Sequence, residues 1–161
     1  MKKTVLLLTM VMYFFISCGD KTDMSPREIN FDRDVCYVCK MGLTDKKYNL
    51  QAINQYGEVR WYDDLGCLVE DMDDSGWEKW KGDTVQIWIG DAKTGEWIDA
   101  KKAWYEYGHR TPMGYGYGAL KEKASDTLYD FNTAIQRIRD GKSMREAFIK
   151  EKKMSMHGHH K

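Results

Sequence analysis

Apolar and polar positions divide this chain into stretches of different period, and each period predicts an element. Residues 5–16 are an almost unbroken apolar run, behind the basic pair Lys2-Lys3 and ahead of the small-residue exit Ser17-Cys18. That is the layout of a secretory signal, expected over residues 1–17, and the run is shorter than the roughly 20 residues a membrane span needs. "YNLQAINQYGEVRWY" alternates, with Tyr48, Leu50 and Ala52 on one face, and predicts two short strands turning at Tyr56-Gly57. "DDLGCLVEDMDD" predicts a short helix closed by Ser75-Gly76. "TVQIWIGDA" predicts a strand with Val85, Ile87 and Ile89 on one face, and Lys93-Thr94-Gly95 turns the chain into another at "EWIDA". Towards the C-terminus the period lengthens. Leu128, Phe131, Ile135 and Ile138 follow the 3,4,3 spacing of one helix face. Gly141 ends that helix, and Ser143 with Glu146 makes a capping box for the next, whose apolar stripe is Met144, Ala147 and Phe148.

One pattern repeats. "RWYDDLGCLV" and "EWIDAKKAWY" both end a strand on Trp, a second apolar residue and Asp, at Trp61–Asp63 and Trp97–Asp99. The echo hints at a duplicated unit. The expected fold is α+β: two small ββαβ-like units sharing a core, with C-terminal helices that serve packing and solubility.

Composition then narrows the class. An aromatic content of 13% with six tryptophans argues against disorder. The chain balances 25 basic against 25 acidic residues, and losing both signal lysines leaves 23 against 25. That balance gives no reason to propose a nucleic-acid partner. "FISC" resembles the bacterial lipobox, whose cysteine becomes the lipidated first residue of the mature protein, with Phe15 where leucine is usual. Cys18 is therefore the expected lipidation site. The expected location is the bacterial cell envelope, anchored to the membrane by lipid and facing the periplasm. Residues 18–34 are polar, contain Pro26 and predict a tether; residues 35–153 predict the domain; residues 154–161 form a Met/His-rich tail.

The chemistry concentrates in "CYVCKMG", residues 36–42. A c-type haem needs histidine after the second cysteine, and Lys40 stands there. A structural zinc site wants four ligands, usually as two spaced pairs; the other internal candidates are the unpaired Cys67 and His109, which leaves zinc open but incomplete. A thioredoxin-like pair follows a buried strand, and here a polar stretch precedes it. A structural Cys36–Cys39 disulfide suits an oxidising envelope. Copper is the fifth reading, because thiolates and thioethers select Cu(I). Met41 lies two residues beyond Cys39, and Met113 sits in the glycine-rich loop "RTPMGYGYGAL", where a turn alone would not use methionine. The tail adds Met154, Met156 and His157, while His159 and His160 by themselves read as solvated.

Other residues read as structure. Cys67, among Leu65, Leu68 and Val69, is expected to be a small buried hydrophobe and not a ligand. Asp63, Asp64, Asp71, Asp73 and Asp74 crowd one segment, but carboxylates do acid–base work only where their pKa values are shifted. Most read as the wet face of a short helix, with Asp63 and Asp99 as helix or turn caps. No enzymatic activity is expected.

"CYVCKMG", "WYDDLGCLV", "WIDAKKAWY" and "TPMGYGYGAL", in this order behind a lipobox, resemble the NosL family over roughly residues 34–125. These are envelope-anchored copper accessory proteins of nitrous-oxide reductase maturation. The resemblance implies two ββαβ-type units and a Cu(I) chaperone whose partner is that reductase or its copper-site assembly machinery. By position it implies Cys39 as motif cysteine, Met41 as companion and Met113 as loop methionine. The chain departs from the family twice: Cys36 is a second cysteine where many members have one, and no histidine follows the motif, which leaves His109 or the tail for any imidazole. The sulfurs of Cys39 and Met113 are expected near each other at the surface. The alternatives are a periplasmic thiol-disulfide protein and a non-metal interaction lipoprotein with a Cys36–Cys39 disulfide.

Overall fold

The computed structural model describes residues 22–158; the leader, Cys18, His159 and His160 lie outside the described residues. The alternating stretches form strands where expected: β1 is Leu50–Asn54 and β2 is Val59–Tyr62, turning through Gly57 at φ +82°. Two helices follow, α1 (Leu65–Met72) and α2 (Trp77–Lys81), then β3 (Val85–Gly90) and β4 (Trp97–Asp99). These four strands make one antiparallel sheet in the order β2-β1-β3-β4. A separate antiparallel ribbon pairs β5 (Trp104–Tyr107) with β6 (Tyr117–Leu120). Two further helices follow, α3 (Phe131–Arg139) and α4 (Met144–Gly158).

The class is α+β. The first half runs β1-β2-α1-α2-β3, a ββαβ unit with a split helix. The second half supplies β4 to the same sheet and β5–β6 beside it, with its helices after the strands. β6 forms inside the stretch that reads as a glycine-rich loop, because its four residues are buried on the ribbon in spite of Gly118. α2, which follows the expected stop at Ser75-Gly76, is held by Trp77 and Trp80, whose ring centroids are 5.4 Å apart.

One sheet face carries Leu50, Ala52, Tyr62, Ile87 and Ile89, which pack with Leu65, Leu68 and Val69 of α1. Phe131, Ala134, Ile135 and Ile138 of α3 complete this core, as their spacing requires. The capping box forms in part, with Glu146 N–H donating to Ser143 Oγ at 3.2 Å. The other sheet face is not left to water. Residues 22–27, which read as part of a tether, lie along it as a strap antiparallel to β1. Thr22 Oγ1 donates to the Gln55 carbonyl at 2.6 Å, Trp88 Nε1 to the Met24 carbonyl at 2.8 Å, and Arg27 exchanges two bonds with the buried Gln51 amide. Gln51 is thereby satisfied without water, as a buried amide must be. The packed part of the chain therefore begins well before residue 35.

Candidate metal centre

Residues 35–42 fold back on themselves. Val35 bridges Gly42, Cys36 N–H donates to the Met41 carbonyl at 2.8 Å, and Lys40 N–H donates to the Cys36 carbonyl at 3.0 Å. Lys40 completes the turn at φ +62°, a left-handed conformation that costs a side-chain-bearing residue roughly 1–2 kcal/mol. Its ammonium compensates by lying 4.5 Å from the Tyr37 ring centroid and bonding the Tyr37 carbonyl. The turn is pinned to the sheet by Tyr37 N–H, which donates to the Trp61 carbonyl of β2 at 2.7 Å. The Arg60 guanidinium, between the Tyr37 and Trp80 rings at 3.9 and 4.1 Å, clamps it further. Arg60 in turn bonds Asp71 of α1 at 2.9 and 3.0 Å, so turn, strand and helix share one buried ion pair.

This tight turn has a consequence for sulfur. The N–H groups of Cys39, Asp63 and Val38 converge on Cys36 Sγ, and the Met41 N–H reaches Cys39 Sγ. Convergent amides make an anion nest. The Cys67 thiol adds its own bond to Cys36 and, with those amides, brings the Cys36 thiol down to about 5 against the cost of burial. Burial pushes the Cys39 thiol up, and the Cys36 sulfur together with burial pushes Cys67 well up. Among the three sulfurs these shifts favour the thiolate on Cys36.

Cys67 is the residue that sequence reasoning misplaced. It lies in the first turn of α1, buried as expected, but its Sγ and those of Cys36 and Cys39 all lie within 4.8 Å of one another. Its apolar neighbours reported burial correctly and said nothing about what the sulfur faces. The signal was available: a cysteine in the first helical turn, directly after a hairpin that follows a Cys-x-x-Cys turn, is carried back to that turn by β1–β2. All three are free thiols. Metal–sulfur bonds near 2.3 Å place three sulfurs about 4 Å apart around one ion, so less than about 1 Å of contraction closes this group on a metal.

The loop with Met113 reaches the same corner through Asp64. This residue, and not Asp63, caps α1, accepting from Gly66 N–H at 3.4 Å. Its buried carboxylate also accepts from Thr111 Oγ1 at 2.5 Å, from Met113 N–H at 3.2 Å and from Tyr115 N–H at 3.4 Å. Tyr115 lays its ring on Gly66, where an added Cβ would stand 2.2 Å from ring carbons, and bonds Glu70 through its hydroxyl. Met113 itself is half-buried against the core. The backbone of this loop is thus docked on the helical turn that bears Cys67.

Asp63 instead sits buried beside the thiols, accepting from Asn49 Nδ2 at 3.0 Å. Asp99 does cap a turn, accepting from Lys101 N–H at 3.0 Å. His109 is not brought to the cysteines: Nε2 lies 2.8 Å from Glu106, and Nδ1 lies 3.4 Å from the Tyr48 hydroxyl. The Met41 side chain is exposed at the rim of the turn. Met154 is exposed on α4, which continues through Met156 and His157 to Gly158.

No protein-family model matches the chain, and no curated protein does. Among solved structures it is similar to the crystal structure of the copper chaperone NosL from Shewanella denitrificans, with a TM-score of 0.51 at 16% identity. The similarity covers 68% of this chain and 95% of that one. The fold is NosL-like.

Proposed function

We propose that this chain is a Cu(I)-binding metallochaperone of the bacterial envelope, with Cys36, Cys39 and Cys67 holding its cargo. The observation that carries the reading is the three-thiol group, whose sulfurs all lie within 4.8 Å of one another. Soft sulfur ligands favour Cu(I). Three ligands, one of them half-exposed Cys39, leave a position through which an acceptor can engage the ion, as a catalytic metal site leaves one for substrate. Met113, whose backbone N–H bonds Asp64, is the added thioether in this reading. Met41 stands at the rim where cargo enters. The acceptor is nitrous-oxide reductase or the machinery that assembles its copper site, and lipid on Cys18 confines the search for it to the membrane surface. No nucleic acid takes part and no substrate is turned over.

A thiol-disulfide role fits less well. An exchanging nucleophile needs an acidified and accessible thiol. Here the acidified sulfur, Cys36, is wholly buried, and the accessible one, Cys39, is pushed the other way.

Anaerobic Cu(I) titration with a chromogenic competitor and native mass measurement tests the proposal. One tightly held Cu(I) per chain, retained against excess zinc, is expected. Tight zinc with weak Cu(I), or no metal at all, overturns it.

A further inference from the structure

The strap changes what the anchor can do. A flexible stretch of residues 18–34 would let the domain tumble freely above the bilayer. Instead the chain is already part of the fold at Thr22, bonded to Gln55 beside the β1–β2 turn, with its methyl under Gly57. Only Gly19, Asp20 and Lys21 separate Thr22 from Cys18. Four Cα–Cα steps at full extension reach at most about 14 Å. At the tip of the same turn stands Tyr56, 72% exposed and the most exposed large hydrophobic side chain among the described residues. Tyrosine is enriched where protein meets the headgroup layer, ring in the apolar boundary and hydroxyl in water. The thiol corner is at the other end of the hairpin, where β2 leads into Asp63. Six residues of strand from Gly57 to Asp63 span about 20 Å.

We propose that the β1–β2 turn, Gln55 to Gly57 with Tyr56 at its tip, is a lipid-facing surface, and that the strap points the thiol corner away from the membrane. The inference rests on lipidation of Cys18. Cargo is then presented to the aqueous side, where a soluble acceptor meets it. The strap sets the direction because its bonds to Gln51, Trp88 and Gln55 run the length of β1.

The test uses the mature protein in nanodiscs doped with a gadolinium-chelating lipid. Paramagnetic broadening of backbone amides reads distance from the bilayer, and intact mass reads lipidation separately. Amides of residues 55–57 should broaden at least several-fold more than those of residues 36–42. A variant with ten Gly/Ser residues inserted between Asp20 and Lys21 should lose most of that difference. A lipidated protein with equal broadening at both ends overturns the orientation and leaves the anchor standing. So does a long-linker variant that keeps the full difference. A mature protein with no lipid mass overturns anchor and orientation together.

Discussion

Two parts of the chain concentrate soft metal ligands, and the fold treats them differently. In the thiol corner, cysteines from a turn and from a helix meet because the β1–β2 hairpin returns the chain to its start, and backbone amides converge on the sulfur that ionises. At the far end of α4, Met154, Met156 and His157 follow one another on a single element, with Met154 in water. The corner therefore joins ligands from two elements in a preset geometry, while the helix end carries its ligands on one. Ordering a ligand costs conformational entropy, about 1–2 kcal/mol for each backbone position fixed. In the corner folding has already met that cost for ligands drawn from two separate elements.

Removing one member of the corner should have the largest effect. Cys67→Ala is expected to lower Cu(I) affinity by more than the roughly 10–100-fold that loss of an outer-sphere partner costs. Circular dichroism should show the fold retained, since the residue replaced is small and apolar in its packing. Competition titration measures the affinity. Unchanged Cu(I) binding in a folded Cys67→Ala protein would return Cys67 to its role as filler and leave Cys36 and Cys39 alone in the site.

This prediction reverses what the sequence supports, and the reversal has a physical cause. Period-two alternation located β1, β2 and β3 because one sheet face packs on α1 and α3, and that packing forces the alternation. The 3,4,3 spacing located α3 for the same reason. Cys67 is different: burial and ligation place the same demand on a side chain, so local apolarity cannot separate them. Only the partner across the hairpin can. Asp63 and Asp64 show the limit at single-residue scale, since the cap fell to the aspartate directly before α1 and the other turned towards Asn49. Polarity misled for residues 22–27 as well, because their backbone, and not their side chains, does most of the binding to the sheet.

Asp64 sharpens the comparison by joining loop to helix. Burial raises its carboxyl to about 6, against the bonds from Thr111, Gly66, Tyr115 and Met113 that favour the anion. A carboxyl whose native pKa lies above its unfolded value of 3.8 contributes stability that is complete below about pH 4 and lost as pH rises through 6. Between pH 5 and 7.5 the apo protein should lose on the order of 1 kcal/mol from this residue. Urea unfolding of the wild type and of Asp64→Asn at both pH values isolates it. Equal pH slopes in the two proteins would remove Asp64 as the source.

Met113→Leu should act more mildly. The backbone bond to Asp64 survives, and a volume-conserving swap costs less than about 1.5 kcal/mol of stability. Cu(I) affinity should fall roughly threefold to tenfold, up to about one 1.4 kcal/mol step, if the thioether supplements three thiolates. An unchanged affinity would assign Met113 to packing and confine the site to the cysteines.

The smallest effect is expected from the element with the richest composition. A chain ending at Lys153 loses Met154, Met156 and His157 together with the residues that follow, yet keeps the Ser143 cap and the start of α4. Among the described residues, the three sulfurs come from the turn over residues 36–42 and from α1. Truncation should therefore change the affinity for the first Cu(I) by less than about twofold, under 0.5 kcal/mol. Any copper lost should be the weakly held fraction seen at high Cu(I) excess. Native mass spectra at one and at four equivalents separate the two populations. If the first equivalent is lost with the tail, then the tail folds onto the corner when the ion arrives, and the contrast between a preset site and a bare list of ligands fails at its more basic step.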